Sequence, residues 1–244
     1  MNDVNPIFQR VTLITGDDAL SKMSQTRVLI VGLGGVGSWC AEALARTGIC
    51  KMELVDFDTV AESNINRQAQ ATSRTVGQPK AAALRERLLE INPECEVLTR
   101  SDFFSKENSD QFDIANADYV IDAIDTLNSK LDLIGICAAA GVTLFSSMGM
   151  AQKTDPTRIR SADIWNTNGC PLARLVREGL RKRNFSGSFT AVYSDENIPR
   201  RGEKAYSEDG HGGRKIINGS MVPVTAAAGM VLASLVVRDI AEIQ

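Results

Sequence analysis

The feature that most constrains the fold is a glycine-rich segment between an apolar run and an amphipathic stretch. Arg27–Val31 (RVLIV) has the pattern of a buried parallel strand, and Ser38–Thr47 has the periodicity of a helix. Between them GLGGVG fits G-x-G-x-x-G, with glycines at Gly32, Gly34, Gly35 and Gly37. Glycine permits a tight turn and a close approach of backbone N–H groups to a phosphate, which the helix N-terminus also attracts. The sequence therefore predicts a phosphate-binding loop.

Strands and helices alternate along the rest of the first 150 residues. A helical lead-in is predicted over 8–24, and further helices over Lys80–Ile91 and Thr126–Ala140. Apolar runs predict strands at Lys51–Val55, Glu96–Thr99, Tyr119–Asp122 and Val142–Ser146. Such alternation is typical of a doubly wound, mainly parallel sheet, so the predicted fold class is α/β and Rossmann-like.

The pattern changes after Gly149. The later segments are predicted as a strand at Arg158–Ile164, a basic helix at Leu172–Arg183, a strand at Ser188–Tyr193, a mobile loop at 194–217 and a closing helix at Met221–Ile240. We expect one domain over 1–244. Residues 8–150 would be its nucleotide-binding half, and 151–244 a substrate-binding half with an added antiparallel part.

Composition narrows the class of protein. Hydrophobic residues make up 43% of the 244 residues, and the net charge is −3, so nucleic-acid binding would need a local basic patch. No segment approaches the ~20 apolar residues of a membrane span, and residues 1–10 lack the layout of a signal peptide. The five cysteines form no CxxC pair, and the one histidine, His211, argues against a His-based metal site. We therefore expect a cytoplasmic protein without zinc and without a membrane partner.

An aspartate ends the second predicted strand. Asp56 lies 19 residues beyond Gly37, where a carboxylate can accept hydrogen bonds from ribose hydroxyls. A strand-end turn is the alternative role for such a residue. The glycine loop and Asp56 together do not distinguish NAD from ATP.

Two cations further along the chain favour ATP. Arg67 lies in the segment NINRQ at 64–68, and Lys80 lies in the first turn of a predicted helix. A lysine there opposes the helix dipole, so it requires solvent screening or an anion. Together Arg67 and Lys80 would hold a triphosphate and neutralise charge as pyrophosphate leaves. The alternative is a pair of ordinary surface cations.

Acidic residues end the fourth predicted strand. Ligands of open α/β sheets bind at the carboxyl ends of the strands, where a carboxylate can hold Mg²⁺ against phosphate oxygens. Asp125 is the predicted Mg²⁺ ligand and Asp122 the alternative. Asp125 also precedes a predicted helix, so N-capping is a second role open to it.

This ordered set of motifs resembles the ubiquitin-activating-like adenylating enzymes. The matching segments are 28–31, 32–38, 41–48, 54–58, 64–68, 77–80, 91–93 and 122–125, within a resemblance that covers 8–150. It implies ATP and Mg²⁺ as cofactors, and a homodimer in which Arg10 reaches the ATP of the partner subunit. The catalytic residues it implies are Arg67, Lys80 and Asp125. The ATP-binding residues it implies are Gly32, Gly34, Gly35, Gly37, Asp56, Asp58, Asn64, Asn66, Arg67, Gln68, Lys80, Asp122, Asp125 and Arg10.

Within that family, the second half of the chain is similar to the tRNA threonylcarbamoyladenosine dehydratases. The similarity lies in 149–164 and in 171–173, and the CxxC pairs usual in sulfur-carrier-activating relatives are missing. It implies that the enzyme adenylates the threonine carboxylate of a modified adenosine beside a tRNA anticodon. A neighbouring carbamoyl atom then closes a ring and expels AMP. Because the attacking group belongs to the substrate, no protein nucleophile is required.

Clustered basic residues fit a tRNA partner, with a solvated helix face and a polar loop as the alternative. They are Arg174, Arg177, Arg181, Lys182, Arg183, Arg200, Arg201, Lys204, Arg214 and Lys215. The resemblance also allows a sulfur-relay partner protein. However, Thr190–Ser194 contains no cysteine where some dehydratases carry one, and we expect Cys170 to be incidental.

Two other functions remain open on the sequence. The first is adenylation of a ubiquitin-like sulfur-carrier protein ending in Gly-Gly, which the missing zinc ligands disfavour. The second is an NAD-binding oxidoreductase or a nucleotide-sensing module, in which Arg67 and Lys80 would be surplus.

Overall fold

Seven α-helices and nine β-strands lie in the described residues, 5–199, 202–203, 205–208 and 214–243 of a computed structural model. The helices are α1 Gln9–Thr15, α2 Asp17–Gln25, α3 Gly37–Arg46, α4 Lys80–Ile91, α5 Leu127–Ala140, α6 Pro171–Lys182 and α7 Val222–Ile240. The strands are β1 Arg27–Val31, β2 Lys51–Val55, β3 Glu96–Arg100, β4 Tyr119–Asp122, β5 Thr143–Ser147, β6 Ile159–Asp163, β7 Thr190–Ser194, β8 Ala205–Glu208 and β9 Arg214–Ile217. Arg200, Arg201, Lys204 and His211 lie outside the described residues.

Seven of these strands form one sheet in the order β3-β2-β1-β4-β5-β7-β6. All neighbours are parallel except β6 and β7, which are antiparallel. Strand β1 is central, and its last residue Val31 pairs with Val55 of β2 and Asp122 of β4. The predicted Rossmann-like α/β fold with an added antiparallel part is confirmed. Since β1 is flanked by β2 and β4, the segment after β1 lies where the chain order of the sheet reverses, the usual ligand position in such folds.

The core lies on both faces of β1, because successive side chains of a strand point to opposite faces. Val28 and Ile30 belong to the cluster that contains Leu44 of α3 and Leu232 of α7. Leu29 and Val31 belong to a second cluster with side chains of α5 and α6. Each fully buried aliphatic side chain of this kind contributes roughly 1.5–3 kcal/mol. The central strand that precedes the glycine loop is therefore firmly anchored.

The closing helix α7 packs very tightly on α3. A Cβ at Gly229 would lie 2.6 Å from the Val36 carbonyl oxygen and 2.8 Å from the Cys40 nitrogen. Only glycine allows this approach of the two backbones. Helix α7 therefore supports the beginning of α3, directly after the glycine loop.

Among the described residues, α7 is also the one helix long and apolar enough to cross a membrane, with 19 residues and a mean hydropathy of 1.5. This corrects the expectation that no segment approaches such a length. The criterion is weak evidence, because a core helix of a soluble protein satisfies it too, and here Val224, Ala228, Leu232 and Val236 are buried.

Two segments differ from the sequence-based expectation. The lead-in is not one helix, because Gly16 adopts φ +84° and separates α1 from α2. Strands β8 and β9 pair as an antiparallel hairpin within 194–217, with Ala205 opposite Ile217 and Glu208 opposite Arg214. The sequence predicted a mobile loop over this segment and no strand in it, so the hairpin is a correction. The short apolar runs were concealed by the surrounding glycines and charges.

Candidate nucleotide-binding site

The glycine loop joins β1 to α3, and two of its glycines are required by the chain itself. Gly32 has φ +92°, and a Cβ there would lie 2.7 Å from the Ala123 carbonyl oxygen. A Cβ at Gly37 would overlap the carbonyl oxygen of Gly32. Both residues must therefore be glycine for the turn to pass beside the end of β4.

The two middle glycines have different surroundings. A Cβ at Gly34 would meet no atom within 4 Å, so no contact within the chain accounts for this glycine. In dinucleotide-binding loops the glycine at this position lets the backbone approach phosphates. A Cβ at Gly35 would lie 3.2 Å from Cγ of Arg67, so the stem of that arginine packs against the loop.

Asp56 connects the end of β2 to the glycine loop. Its carboxylate accepts hydrogen bonds from Leu33 N at 2.7 Å and from Asp58 N at 2.9 Å. Burial raises the pKa of Asp56, against the opposing effects of Lys80 and of these two donors. Each carboxylate oxygen retains a further lone pair for an incoming hydroxyl. The ribose contact remains a prediction with suitable geometry.

Lys80 is a buried cation, and the alternative of a surface cation is wrong for it. Its side chain is only 7% exposed. The Nζ lies 2.6 Å from Asp58 Oδ2 and 3.8 Å from Asp56 Oδ1. The anion that a lysine in a first helical turn requires is thus present within the chain. Because Asp58 is half exposed, this pair can also face a bound phosphate.

Arg67 is half-buried and held in a defined orientation. Its Nη1 donates to the Ser63 carbonyl oxygen at 2.8 Å and to Asn66 Oδ1 at 2.9 Å. Its own carbonyl oxygen accepts a bond from Trp39 Nε1 at 2.9 Å. Burial lowers the pKa of Arg67, although an arginine stays protonated at neutral pH. The guanidinium is therefore a pre-oriented positive charge beside the loop.

Three polar side chains of the same segment shape it. Asn64 Oδ1 accepts a bond from Ala61 N at 3.1 Å, and Asn66 Nδ2 donates to the Ser220 carbonyl oxygen at 2.8 Å, just before α7. Gln68 is buried and accepts a 3.3 Å bond from Gln70. Their observed bonds position the Arg67 segment, and direct contacts with ATP remain a prediction.

Gln70 is a residue that the sequence analysis did not identify. It is 2% exposed, and its Nε2 donates to the Leu33 carbonyl oxygen in the glycine loop at 2.9 Å. Its spacing from the glycine loop carries no recognisable signal, since the contact depends on how the 64–78 segment folds back.

Asp122 is completely buried and belongs to a cluster that sequence reasoning missed. Its Oδ2 lies 2.6 Å from Lys130 Nζ and accepts a 2.6 Å bond from Ser146 Oγ. Its Oδ1 accepts a bond from Ile124 N. This geometry weighs against the alternative Mg²⁺ role for Asp122, because its oxygens already neutralise a buried lysine. The one available signal was Lys130 itself, a charged residue in a helical stretch whose later part is apolar.

Asp125 is exposed after β4, two residues beyond the Ala123 that contacts Gly32. The N-cap position of α5 is occupied by Thr126, one residue after Asp125. The described residues contain no group of three or more potential metal-ligating side chains. Mg²⁺ does not require one, since it usually binds one or two carboxylates together with substrate phosphates and water. Asp125 suits that role.

Arg10 lies in α1, two residues after Phe8. Phe8 lines a groove with Gly48 and Cys50 at the beginning of β2, and Asp56 lies at the other end of that strand. A contact between Arg10 and the nucleotide of a partner subunit remains a prediction.

The predicted basic helix is confirmed as α6, and several of its cations have partners within the chain. Arg174 pairs with Glu178 at 3.2 Å and Arg183 with Asp132 at 2.6 Å. The Arg181 guanidinium lies 5.4 Å from the centre of the Trp165 ring. The Arg174–Glu178 pair is exposed on both sides and therefore weak, so it leaves Arg174 able to contact phosphates.

Comparison with known proteins agrees with this geometry. Residues 8–243 match the model of the ThiF family. The chain is 41% identical to the tRNA threonylcarbamoyladenosine dehydratase of Bacillus subtilis, over 96% of this chain and 94% of that protein. It is 44% identical to the Haemophilus influenzae enzyme of the same name, over 74% and 72%. The crystal structure of the Escherichia coli dehydratase in complex with ATP superposes with a TM-score of 0.85 at 35% identity, covering 96% of this chain and 93% of that one.

Proposed function

Because this chain belongs to the ThiF family, we propose that it is an ATP-dependent tRNA threonylcarbamoyladenosine dehydratase. The observation that carries the proposal is the packing of Arg67 against Gly35, with Lys80 buried behind Asp58 at the same edge of the sheet. This arrangement combines a backbone cradle with two fixed cations, as transfer from a triphosphate requires. The likeness to the dehydratases extends over both halves of the chain, which supports the substrate assignment.

The reaction proceeds in two displacements. A carboxylate oxygen of the threonylcarbamoyl group attacks the α-phosphorus of ATP, and the bond to the β-phosphate oxygen breaks, releasing pyrophosphate. An atom of the carbamoyl group then attacks the activated carbonyl carbon, AMP leaves with the former carboxylate oxygen, and a proton goes to solvent. The tRNA has lost the elements of one water.

The residues of this chain bind and orient the reactants. The N–H groups of the glycine loop face the phosphates, and Asp56 accepts from the ribose hydroxyls. Arg67 neutralises the charge that develops as pyrophosphate leaves, and Lys80 holds Asp58 in place. Asp125 would hold Mg²⁺, which supplies further positive charge at the phosphate oxygens.

No protein thiol takes part in this scheme. Cys170 is the one cysteine after Gly149 in the sequence, and it is 4% exposed with its thiol directed at the Gly149 carbonyl oxygen. Its burial supports ring closure by the substrate itself and gives no support to a sulfur-relay partner.

We place the tRNA on the second half of the chain, 151–244, where α6 carries five basic residues in or next to it. Contacts of these side chains with the phosphate backbone of the tRNA would be independent of its base sequence. We also propose a cytoplasmic location, where both ATP and tRNA are present.

The decisive experiment incubates the protein with ATP, Mg²⁺ and tRNA that carries the open threonylcarbamoyl group. We expect digestion to yield a nucleoside lighter by one water, with one AMP released per ring closed. Omission of ATP is the control. An unchanged nucleoside from protein that still binds ATP would refute the assignment. Pyrophosphate exchange stimulated by a carrier ending in Gly-Gly, and not by tRNA, would indicate the alternative substrate.

We further propose a homodimer in which α1 contributes Arg10 to the partner subunit's site. Leu13 and Ile14 of α1 are 82% and 79% exposed. Exposing two neighbouring large apolar side chains to water is unfavourable, and such a patch often marks a protein–protein interface. Arg10 precedes Leu13 and Ile14 on the same helix, which follows Phe8 in the groove at the end of β2 opposite to Asp56.

Mixing two inactive variants tests this arrangement. In a hybrid of Arg10→Ala and Arg67→Ala subunits, one of the two sites would contain both arginines. We expect an equimolar mixture, after subunit exchange, to regain about one quarter of wild-type activity, since half of the dimers are hybrids. Each variant alone is the control. If Arg10 acted within its own chain, the mixture would stay inactive.

A further inference from the structure

Two cysteines lie side by side at the end of the sheet remote from the nucleotide site. Strands β2 and β3 are parallel and in register from Lys51 and Glu96 onward, and Glu96 N donates to the Cys50 carbonyl oxygen at 2.7 Å. Cys50 and Cys95 immediately precede these paired residues, so they are cross-strand neighbours on the same face. Parallel strands lie about 4.8 Å apart, within the Cα separation that disulfides span.

The two thiols interact and are chemically unequal. Asn92 Nδ2 lies 2.8 Å from the Cys50 sulfur. Interaction with the Cys95 thiol, together with this amide, lowers the pKa of Cys50 against the opposing effects of burial and of the nearby Glu94 and Glu96. Interaction with Cys50 and burial raise the pKa of Cys95. Cys50 is thus the better nucleophile of the pair, with a second thiol in contact.

Access to the pair is also unequal. Cys50 lines an open groove of about 400 Å³ together with Phe8, Leu20, Gly48 and Lys51. The other four cysteines are buried, namely Cys40, Cys95, Cys137 and Cys170. Burial raises the pKa of Cys137 to about 12, so its thiolate is scarce at neutral pH. A small reagent in the groove would meet Cys50 first.

We propose that Cys50 and Cys95 form a reversible intramolecular disulfide by exchange with a low-molecular-weight disulfide, of which oxidised glutathione is the probe. The Cys50 thiolate attacks one sulfur of the probe, which forms a mixed disulfide and releases one glutathione thiolate. The Cys95 thiol then attacks the Cys50 sulfur and releases the second glutathione thiolate, which takes up the proton from Cys95. The protein dithiol is oxidised by two electrons and the probe is reduced to two thiols.

The cross-link would close a loop around the nucleotide-binding segment. The loop comprises residues 51–94, which include Asp56, Arg67 and Lys80. The disulfide would lower the conformational entropy of this segment in the unfolded chain. A loop of this length predicts a rise in Tm of roughly 5–10 °C on oxidation. ATP affinity should change less than about twofold, since the bond lies at the opposite end of β2 from Asp56. The proposal does not depend on the proposed function.

The test treats the folded, reduced protein with oxidised glutathione, and then denatures it in the presence of an alkylating reagent that blocks every remaining thiol. We expect the loss of two hydrogens, three alkylated cysteines, a Cys50–Cys95 cross-linked peptide and a higher Tm that dithiothreitol reverses. Cys95→Ser should retain one glutathionyl group on Cys50, and Cys50→Ser should gain none. Cys170→Ser is the matched control and should still form the cross-link.

Wild-type protein with all five cysteines alkylated after treatment would overturn the proposal, as would a cross-link between other cysteines. A stable glutathione adduct on wild-type Cys50, without transfer to Cys95, would overturn it equally. These readouts on the wild-type chain keep the test decisive even if a serine variant does not fold.

Discussion

Lys130→Met is expected to reduce the free energy of unfolding by about 3–5 kcal/mol. Lys130 and Asp122 are both 0% exposed, and Lys130 Nζ lies 2.6 Å from Asp122 Oδ2. Lys130 also donates to the Ser147 carbonyl oxygen at 3.0 Å. The substitution leaves the Asp122 charge in the core without its counterion. Removing one partner of a buried ion pair destabilises a protein more than replacing both partners. Equilibrium unfolding in urea measures the change.

Two control variants separate this mechanism from general sensitivity to mutation. The double variant Asp122→Asn with Lys130→Met removes both charges. Its free energy of unfolding should be substantially higher than that of Lys130→Met alone. Lys22→Met removes one partner of an exposed pair, with Glu242 at 3.2 Å, and should change the stability by less than about 1 kcal/mol. A similarly small effect for Lys130→Met would show that the buried pair does not stabilise the fold as described.

Arg67→Ala is expected to slow tRNA-dependent AMP release by about 10²–10³-fold at saturating ATP. The guanidinium would stabilise charge that develops only as pyrophosphate leaves, so kcat should fall more than the KM for ATP rises. The fold should persist, because the half-buried side chain makes its two bonds at the surface, to Ser63 and Asn66. Steady-state kinetics and a thermal melt of the same preparation measure the two quantities.

Arg74→Ala is the matched control, since it removes the same charge from an exposed position of the same segment. It should retain nearly full activity. Equal losses in both variants would attribute the effect to net charge, and a large fall in Tm for Arg67→Ala alone would make the residue structural. Lys80 is less suitable for this comparison. Its removal would leave the buried Asp56 without a nearby cation, and both folding and catalysis would change.

Local patterns predicted the parts of the site that lie within short stretches of chain. The apolar run of β1 and the glycines after it determine a strand, a turn and a helix start without help from distant residues. Asp56 could be predicted because the length of the intervening helix and strand sets where β2 ends. The charges of Arg67 and Lys80 and the strand-end position of Asp125 suggested roles for these residues, and the family resemblance supports the same roles.

Other features could not be predicted because they depend on which strands become neighbours. Asp122, Lys130 and Ser146 converge because β4 pairs with β5 in the register that places Asp122 opposite Ser146. The Cys50–Cys95 contact likewise follows from the β2–β3 register. Gln70 reaches the glycine loop because 64–78 folds back over it, and no periodic pattern describes such a segment.

By itself, the sequence determined the α/β class and the glycine loop, because apolar periodicity and glycine geometry act over a few residues, and its ordered motifs carried the resemblance to the family. Only the tertiary structure decided that Lys80 is a buried partner of Asp58 and that Asp122 neutralises a lysine. Burial and pairing change the free energy of a charge by several kcal/mol, and both depend on neighbours distant in the chain. The chemistry available to each charged residue was therefore settled by packing.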